Sequence, residues 1–178
     1  MCGFLGSIHN TGNIVDFNHS LQLMSTRGPD FSDSLNMGSH IFGHLRLSIT
    51  DITSDSNQPF LSPCKRFLLL FNGQIYNYKM LRNELKLNWS FLTKGDTEVL
   101  LSGLITEGIN FLKKCRGPFS FFFYDVFKEE GIFARDRYGE KPFYYSTNGK
   151  NFIFGSTFKA VHLYTNSPKN IDHNALFH

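Results

Sequence analysis

At 178 residues, with a formal net charge of +3 from 18 basic and 15 acidic side chains, the chain has the length of one domain. That length supports a hydrophobic core without metal or disulfide help, and a charge so small and evenly spread argues against nucleic acid as the main partner. Three widely spaced cysteines, Cys2, Cys64 and Cys115, fit free thiols in a reducing compartment, and the absence of a leader-like or membrane-length apolar segment makes the cytoplasm the expected location.

Short β-type runs separated by turn signals dominate. In chain order, strands are expected over residues 2–8 and 41–49, with a helix from about 18 to 24 between them, and a further strand over 67–71. Residues 78–87 and 96–114 have the 3.6 period of helices. The first turns Leu81 and Leu85 to one face; the second opens on Asp96, Thr97 and Glu98 and sends Val99, Leu100, Leu104, Phe111 and Leu112 inward. Strands return over 119–124, 131–135, 143–146 and 152–154, the last two joined by a hairpin-like Thr147-Asn148-Gly149-Lys150 turn. After Val161 the polar run from Thr165 to Asn170 reads as a connector, and 171–176 as the start of another element, so a domain over 2–160 is expected, followed by a linker or the start of a further domain over 161–178. Grouped strands and helices that do not alternate strictly with them predict an α+β fold. Most of the 20 phenylalanines are expected in the core, because the strands around 67–71 and 119–123 place them on both faces, and these runs lack the interleaved Arg or Lys that a base-stacking platform would want.

Cys2 follows Met1 directly, and removal of Met1 would leave a thiol and a free α-amine on one carbon. Such an amine titrates near about 7.7 to 8.0, where a general base is useful, and the thiol beside it near about 8.5. A nucleophile would then carry its own base.

Six blocks extend this beginning: Met1-Cys2-Gly3-Phe4-Leu5-Gly6; Arg27-Gly28-Pro29-Asp30; Gly43 to Asp51, containing His44-Leu45-Arg46-Leu47-Ser48-Ile49; Asn72-Gly73-Gln74-Ile75-Tyr76-Asn77; Gly95-Asp96-Thr97-Glu98; and Ala134 to Gly139 followed by Lys141-Pro142-Phe143-Tyr144-Tyr145. In this order they resemble, over nearly the whole chain, the glutaminase domain of asparagine synthetases, class II glutamine amidotransferases of the N-terminal-nucleophile hydrolase superfamily. The resemblance implies a four-layer αββα sandwich of two antiparallel sheets. It implies Cys2 as the nucleophile that forms a thioester with glutamine, and Asn72 and Gly73 as oxyanion donors. Arg46 would hold the substrate α-carboxylate, Asp96 its α-ammonium, and the main chain of Leu47 and Ile49 would line the pocket. Gln74 departs from the glutamate usual there, and weaker binding of the substrate amine is expected. No cofactor is expected in this domain; ATP and magnesium belong to a synthetase domain or partner that would receive the ammonia.

Two other readings stand beside this one: a non-catalytic binding or assembly module on the same fold, and an N-terminal-cysteine hydrolase of another amide. The Arg46 and Asp96 pair favours a free amino acid over an acyl chain. Arg27-Gly28-Pro29-Asp30 reads as a turn with a role beneath the site. Arg135-Asp136-Arg137 reads equally as a solvated charge cluster or an interdomain contact. His40 and His44 share a strand without cysteine partners, so no metal is expected, and Cys64 and Cys115 are expected to be inert.

Overall fold

The structure is a computed structural model and describes residues 1–9 and 12–166. Nine strands form two antiparallel sheets among the described residues. One has the order β2-β3-β1-β9-β8, from β1 (Gly3–Ile8), β2 (Phe31–Met37), β3 (His40–Arg46), β8 (Tyr144–Asn148) and β9 (Asn151–Gly155). The other has the order β4-β5-β6-β7, from β4 (Phe60–Leu61), β5 (Phe67–Gly73), β6 (Phe119–Asp125) and β7 (Glu130–Arg135).

The period-2 alternation of each strand sorts its side chains into separate cores. On β5, Leu68 and Leu70 face the other sheet, whereas Leu69 and Phe71 face α2 (Tyr78–Leu85) and α3 (Asp96–Glu107). Phe122 and Tyr124 on β6 turn inward with Leu68 and Leu70, and Phe121 and Phe123 turn outward with Leu69. On the other sheet Phe4, Phe42 and Phe154 meet that inner layer, while Leu5, Ile41, Leu45 and Ile153 pack on α1 (Ile14–Gln22) and α4 (Phe158–Thr165). Three cores between four layers make the αββα sandwich that the resemblance implies. The inner core is largely aromatic, with Phe122 and Phe154 rings 4.1 Å apart, which accounts for much of the phenylalanine content.

Several expected elements shift. The helix expected to 114 ends at Glu107, because Gly108 takes φ 61° and the chain continues as a 3-10 turn over Gly108–Lys113. The first helix starts earlier than expected, at Ile14, where the Asn13 side chain accepts from Val15 N–H at 2.9 Å as an N-cap. The edge strand β2 was not expected, being largely polar and exposed. It turns into β3 through Gly38-Ser39, with Gly38 at φ 72° and Met37 opposite His40, the two-residue hairpin that favours glycine first. The expected polar connector after Val161 is in part α4, which buries Ala160 and Val161 and runs to Thr165, with Asn166 closing it in the left-handed region. The expected element over 171–176 lies outside the described residues.

Candidate active site

β1 and β3 end side by side, with Gly3 opposite Leu45, and the chain leaves the sheet at Arg46 rather than continuing to 49 as expected. Cys2 therefore lies beside Leu47. The Leu47 N–H donates to Sγ at 3.4 Å and the thiol donates to the Leu47 carbonyl at 3.6 Å. The described chain carries Met1, so the Cys2 nitrogen is a peptide nitrogen, and Met1 is half exposed at the pocket mouth with Lys141 Nζ 3.4 Å from its sulfur. Burial pushes the Cys2 thiol up, against the lowering effects of Leu47 N–H, the chain's N-terminal amine and Arg46. A thiol in that state needs a base to become a nucleophile. Among the described residues no histidine lines the pocket.

The pocket is an open cavity of about 150 Å³, the size of an engineered cavity that admits benzene, and so suited to a small molecule on the scale of an amino acid. Arg46 and Asp96 both line it and both are buried, at 7% and 5% exposure. The Arg46 guanidinium is fixed by the 51–57 loop: Nη1 donates to the Thr53 carbonyl at 2.7 Å and to Asn57 Oδ1 at 2.6 Å, and Nη2 donates to the Asp51 carbonyl. Three of its five N–H donors are used in this way, leaving two for a substrate carboxylate. Asp51 in turn ties that loop to the segment leading into α3, accepting from Thr53 N–H at 2.9 Å and Lys94 N–H at 2.8 Å. Burial raises the Asp51 carboxyl, but these bonds and the Thr53 hydroxyl outweigh it and hold the group below its ordinary range. Asp96 opens α3 and accepts from Ile75 N–H at 2.8 Å, while burial pushes its carboxyl up. A cation in the pocket would relieve that burial.

Asn72 is 1% exposed and lies between the nucleophile and the 27–30 turn. With its amide oriented to suit its neighbours, Nδ2 donates to the Cys2 carbonyl at 3.2 Å and Oδ1 accepts from Arg27 Nη2 at 3.3 Å. Arg27 Nε also donates to the Cys2 carbonyl, at 3.0 Å. One Nδ2–H stays uncommitted. The Gly73 N–H is placed by strand alternation. Phe67 and Phe71 bond toward the β4 side, and Gly73, also an odd position, presents its N–H on that same edge beyond the last residues of β4. Gly73 is compelled to be glycine from the other side, since a Cβ would lie 2.5 Å from the Pro118 carbonyl. Gln74 and the largely exposed Ile49 complete the rim. All eight residues expected at the site thus line one pocket. Gln58, Asp51 and Lys141 line it as well and were missed, since nothing in their residue types marks them.

The supporting blocks also find places. Gly28 packs on β3 so closely that a Cβ would lie 2.2 Å from the Leu45 carbonyl carbon, and Asp30 accepts from Ser48 N–H at 2.7 Å. The turn is therefore the floor that presents Arg27. Asp136 is buried rather than solvated, while Arg135 and Arg137 are exposed. It accepts from the N–H groups of Tyr138, Glu140 and Lys141 at 3.1, 2.9 and 2.9 Å, organising the loop that carries Lys141 to the pocket. Burial pushes Cys115 up to about 12, as expected of an inert thiol. Cys64 is exposed, and the Ser62 hydroxyl with neighbouring main-chain N–H groups holds its thiol below the ordinary value.

His44 is fully buried, and its Nε2 lies 3.1 Å from the Phe71 carbonyl, an acceptor, so Nε2 carries the proton. Burial pulls the ring down to about 4 from an ordinary 6.5, the Phe71 bond opposing and Arg46 assisting. The unfolded ring therefore takes up a proton between those values while the folded ring does not, so this contribution to stability is lost as pH falls through that window. We expect a loss of about 3 kcal/mol by pH 4. Urea unfolding at pH 7 and pH 4.5 checks it, with His44→Gln expected to lack this component while retaining that of the carboxylates.

Comparison with known proteins follows this geometry. The model of the glutamine amidotransferase domain family matches residues 1–178. The chain belongs to this family. Among curated relatives of this amidotransferase domain, it is 34% identical over 185 residues to the glutamine-hydrolysing asparagine synthetase 3 of Bacillus subtilis, covering 99% of this chain and 30% of that protein. It is 36% identical over 142 residues to the glutamine-hydrolysing asparagine synthetase B of Escherichia coli, covering 79% and 25%. It is 34% identical over 137 residues to the amidase chyE of Penicillium rubens, covering 76% and 20%. The domain thus spans under a third of the length of each of these relatives. Among solved structures, the glutamine phosphoribosylpyrophosphate amidotransferase of B. subtilis superposes with a TM-score of 0.74 at 22% identity, covering 92% of this chain and 44% of that one, a likeness of fold.

Proposed function

We propose that this domain hydrolyses L-glutamine to glutamate through Cys2 and supplies the ammonia to a synthetase domain or subunit of asparagine-synthetase type. Removal of Met1 exposes the Cys2 α-amine, which takes the thiol proton, directly or through a water. Sulfur attacks the side-chain amide carbon of glutamine, and the tetrahedral oxyanion is met by Asn72 Nδ2 and Gly73 N–H. The amine's proton passes to the leaving nitrogen, which departs as ammonia. Water, deprotonated by the same amine, then hydrolyses the thioester to glutamate. Arg46 takes the α-carboxylate and Asp96 the α-ammonium, fixing the distance from amino-acid head to amide. The observation that carries this reading is the convergence of Cys2, Asn72, Arg46 and Asp96 on one amino-acid-sized cavity.

This chemistry uses side chains, main-chain N–H groups and one amine, so we assign no cofactor to the domain; ATP and magnesium would serve the synthetase site. Three free thiols favour the cytoplasm as the compartment, and among the described residues no helix is long and apolar enough to cross a membrane. Release of glutamate and ammonia from glutamine by the Met1-processed protein tests the proposal. Preference for an acylated amide over glutamine would replace it.

Gln74 lines the cavity beside Asp96 with a neutral amide. Gln74→Glu adds a second carboxylate toward the substrate ammonium, and a charge-assisted bond in place of a neutral one is worth on the order of 1 kcal/mol. We expect KM for glutamine to fall by about 3- to 10-fold with kcat little changed. Steady-state kinetics with both proteins checks this.

A further inference from the structure

β4 pairs with β5 only at Phe60 opposite Leu69 and Leu61 opposite Leu68. Continuing that register places residue 58 opposite Phe71. Pro59 intervenes and has no N–H to donate. The side chain of Gln58 takes over the ladder: its Oε1 accepts from Phe71 N–H at 2.6 Å and its Nε2 donates to the Phe71 carbonyl at 3.2 Å. The same carbonyl accepts from His44 Nε2 at 3.1 Å across the interface between the two sheets. Gln58 is 4% exposed and His44 fully buried, so all three bonds lie away from water, where losing a partner leaves an unsatisfied polar group.

The position of this clamp gives it a consequence. Phe71 immediately precedes Asn72, and Gly73 N–H is the next group along the edge that Gln58 holds. His44 stands on β3 opposite Phe4 of β1, two residues from Cys2. The cross-sheet bond therefore ties the sheet that carries the nucleophile to the strand that carries the oxyanion donors.

We propose that Gln58 and His44 are positioning residues that fix the Phe71–Gly73 segment of β5 so that Asn72 Nδ2 and Gly73 N–H meet the oxyanion formed at Cys2. This inference rests on the glutaminase reading for its chemistry, while the clamp is also observable without turnover. Preorganised donors act by where they point, so a loosened segment loses transition-state stabilisation more than substrate binding.

The test uses Gln58→Met, which removes both side-chain bonds at similar size, His44→Leu, which removes the cross-sheet bond, and His44→Gln, which restores an N–H donor. Three quantities are read: kcat and KM for glutamine per active site, the iodoacetamide alkylation rate at Cys2 located by peptide mass, and amide hydrogen exchange along β5. We expect kcat to fall about 10- to 100-fold in Gln58→Met and His44→Leu, less than for deleting an oxyanion donor itself, with KM within about 2-fold. Alkylation, which forms no oxyanion, stays near wild type; exchange rises at Phe71, whose N–H the clamp holds, but not at Leu68–Leu70; and His44→Gln recovers much of kcat. Unchanged kcat with unchanged exchange would overturn the proposal, as would parallel loss of kcat, KM and alkylation, which marks general unfolding. If wild type does not hydrolyse glutamine, the functional reading fails instead. Exchange then decides the clamp, a local rise supporting it and none overturning it.

Discussion

Cys2→Ala abolishes glutamine hydrolysis, with kcat expected to fall by at least about 10⁴-fold. The size of the effect follows from the pocket's composition. Among the described residues no other cysteine, serine nucleophile paired with a base, or histidine lines the pocket to take over, and the thiol's surroundings are already arranged around sulfur, with Leu47 N–H 3.4 Å away. Binding should survive. Arg46 and Asp96 do not touch the Cys2 sulfur, and calorimetry should give Cys2→Ala a glutamine Kd within about 3-fold of the KM-derived value, since removing an interaction confined to the reacting atoms spares ground-state contacts. Wild-type protein that retains Met1 should lose hydrolysis as well, because its Cys2 nitrogen is an amide and cannot accept the thiol proton. Glutamate release by each form, with processing checked by mass, tests both statements.

Asn72→Ala is expected to lower kcat by about 10²- to 10³-fold, corresponding to about 3 to 4 kcal/mol of lost transition-state stabilisation, with a much smaller change in KM. The side chain has two tasks. One Nδ2–H holds the Cys2 carbonyl, together with Arg27 Nε, and the other is free for the oxyanion. Alanine removes both and leaves the Arg27 Nη2 that Asn72 had accepted without that partner in a half-buried place. Asn72→Asp keeps the size and an acceptor for Arg27, yet sets a carboxylate where negative charge develops. It should be no more active than Asn72→Ala. An Asn72→Asp enzyme with near wild-type kcat would remove the side-chain amide from the oxyanion site.

Much of the fold was legible because its signals are local. Leu68 to Phe71 and Phe121 to Tyr124 announce strands buried on both faces, and Asp96 to Leu104 carries a helical period. What escaped was decided by tertiary surroundings. β2 sits at a sheet edge and needs little apolar surface, so its pattern is weak, although Gly38-Ser39 marked its turn. α4 hides its helicity behind the polar run that follows it, while Ala160 and Val161 supply the buried face. Gly108 stops the helix at Glu107, but the apolar period continues through Phe111 and Leu112, which masks that stop in the sequence.

The site was legible by resemblance rather than by spacing. Cys2, Arg46, Asn72, Gly73 and Asp96 come from four separated blocks, and only the ordered blocks identify them. Gln58 escaped because its role depends on β4 ending after two residues, a fact of strand register absent from any local motif. Arg46 shows the same limit. Its residue type suggests carboxylate recognition, but the Thr53, Asn57 and Asp51 oxygens that decide which of its N–H groups remain free emerge only when the 51–57 loop folds over it.

The central claim, that a processed Cys2 acts as nucleophile in a glutamine-shaped pocket, is tested most directly by intact mass before and after exposure to 6-diazo-5-oxo-norleucine, a glutamine-shaped electrophile. The account predicts that protein lacking Met1 gains one adduct, located at Cys2 by peptide mass, that excess glutamine slows the reaction, and that Cys2→Ala gains none. A processed protein that stays unmodified, or one labelled at Cys64 at the same rate with and without glutamine, would contradict it.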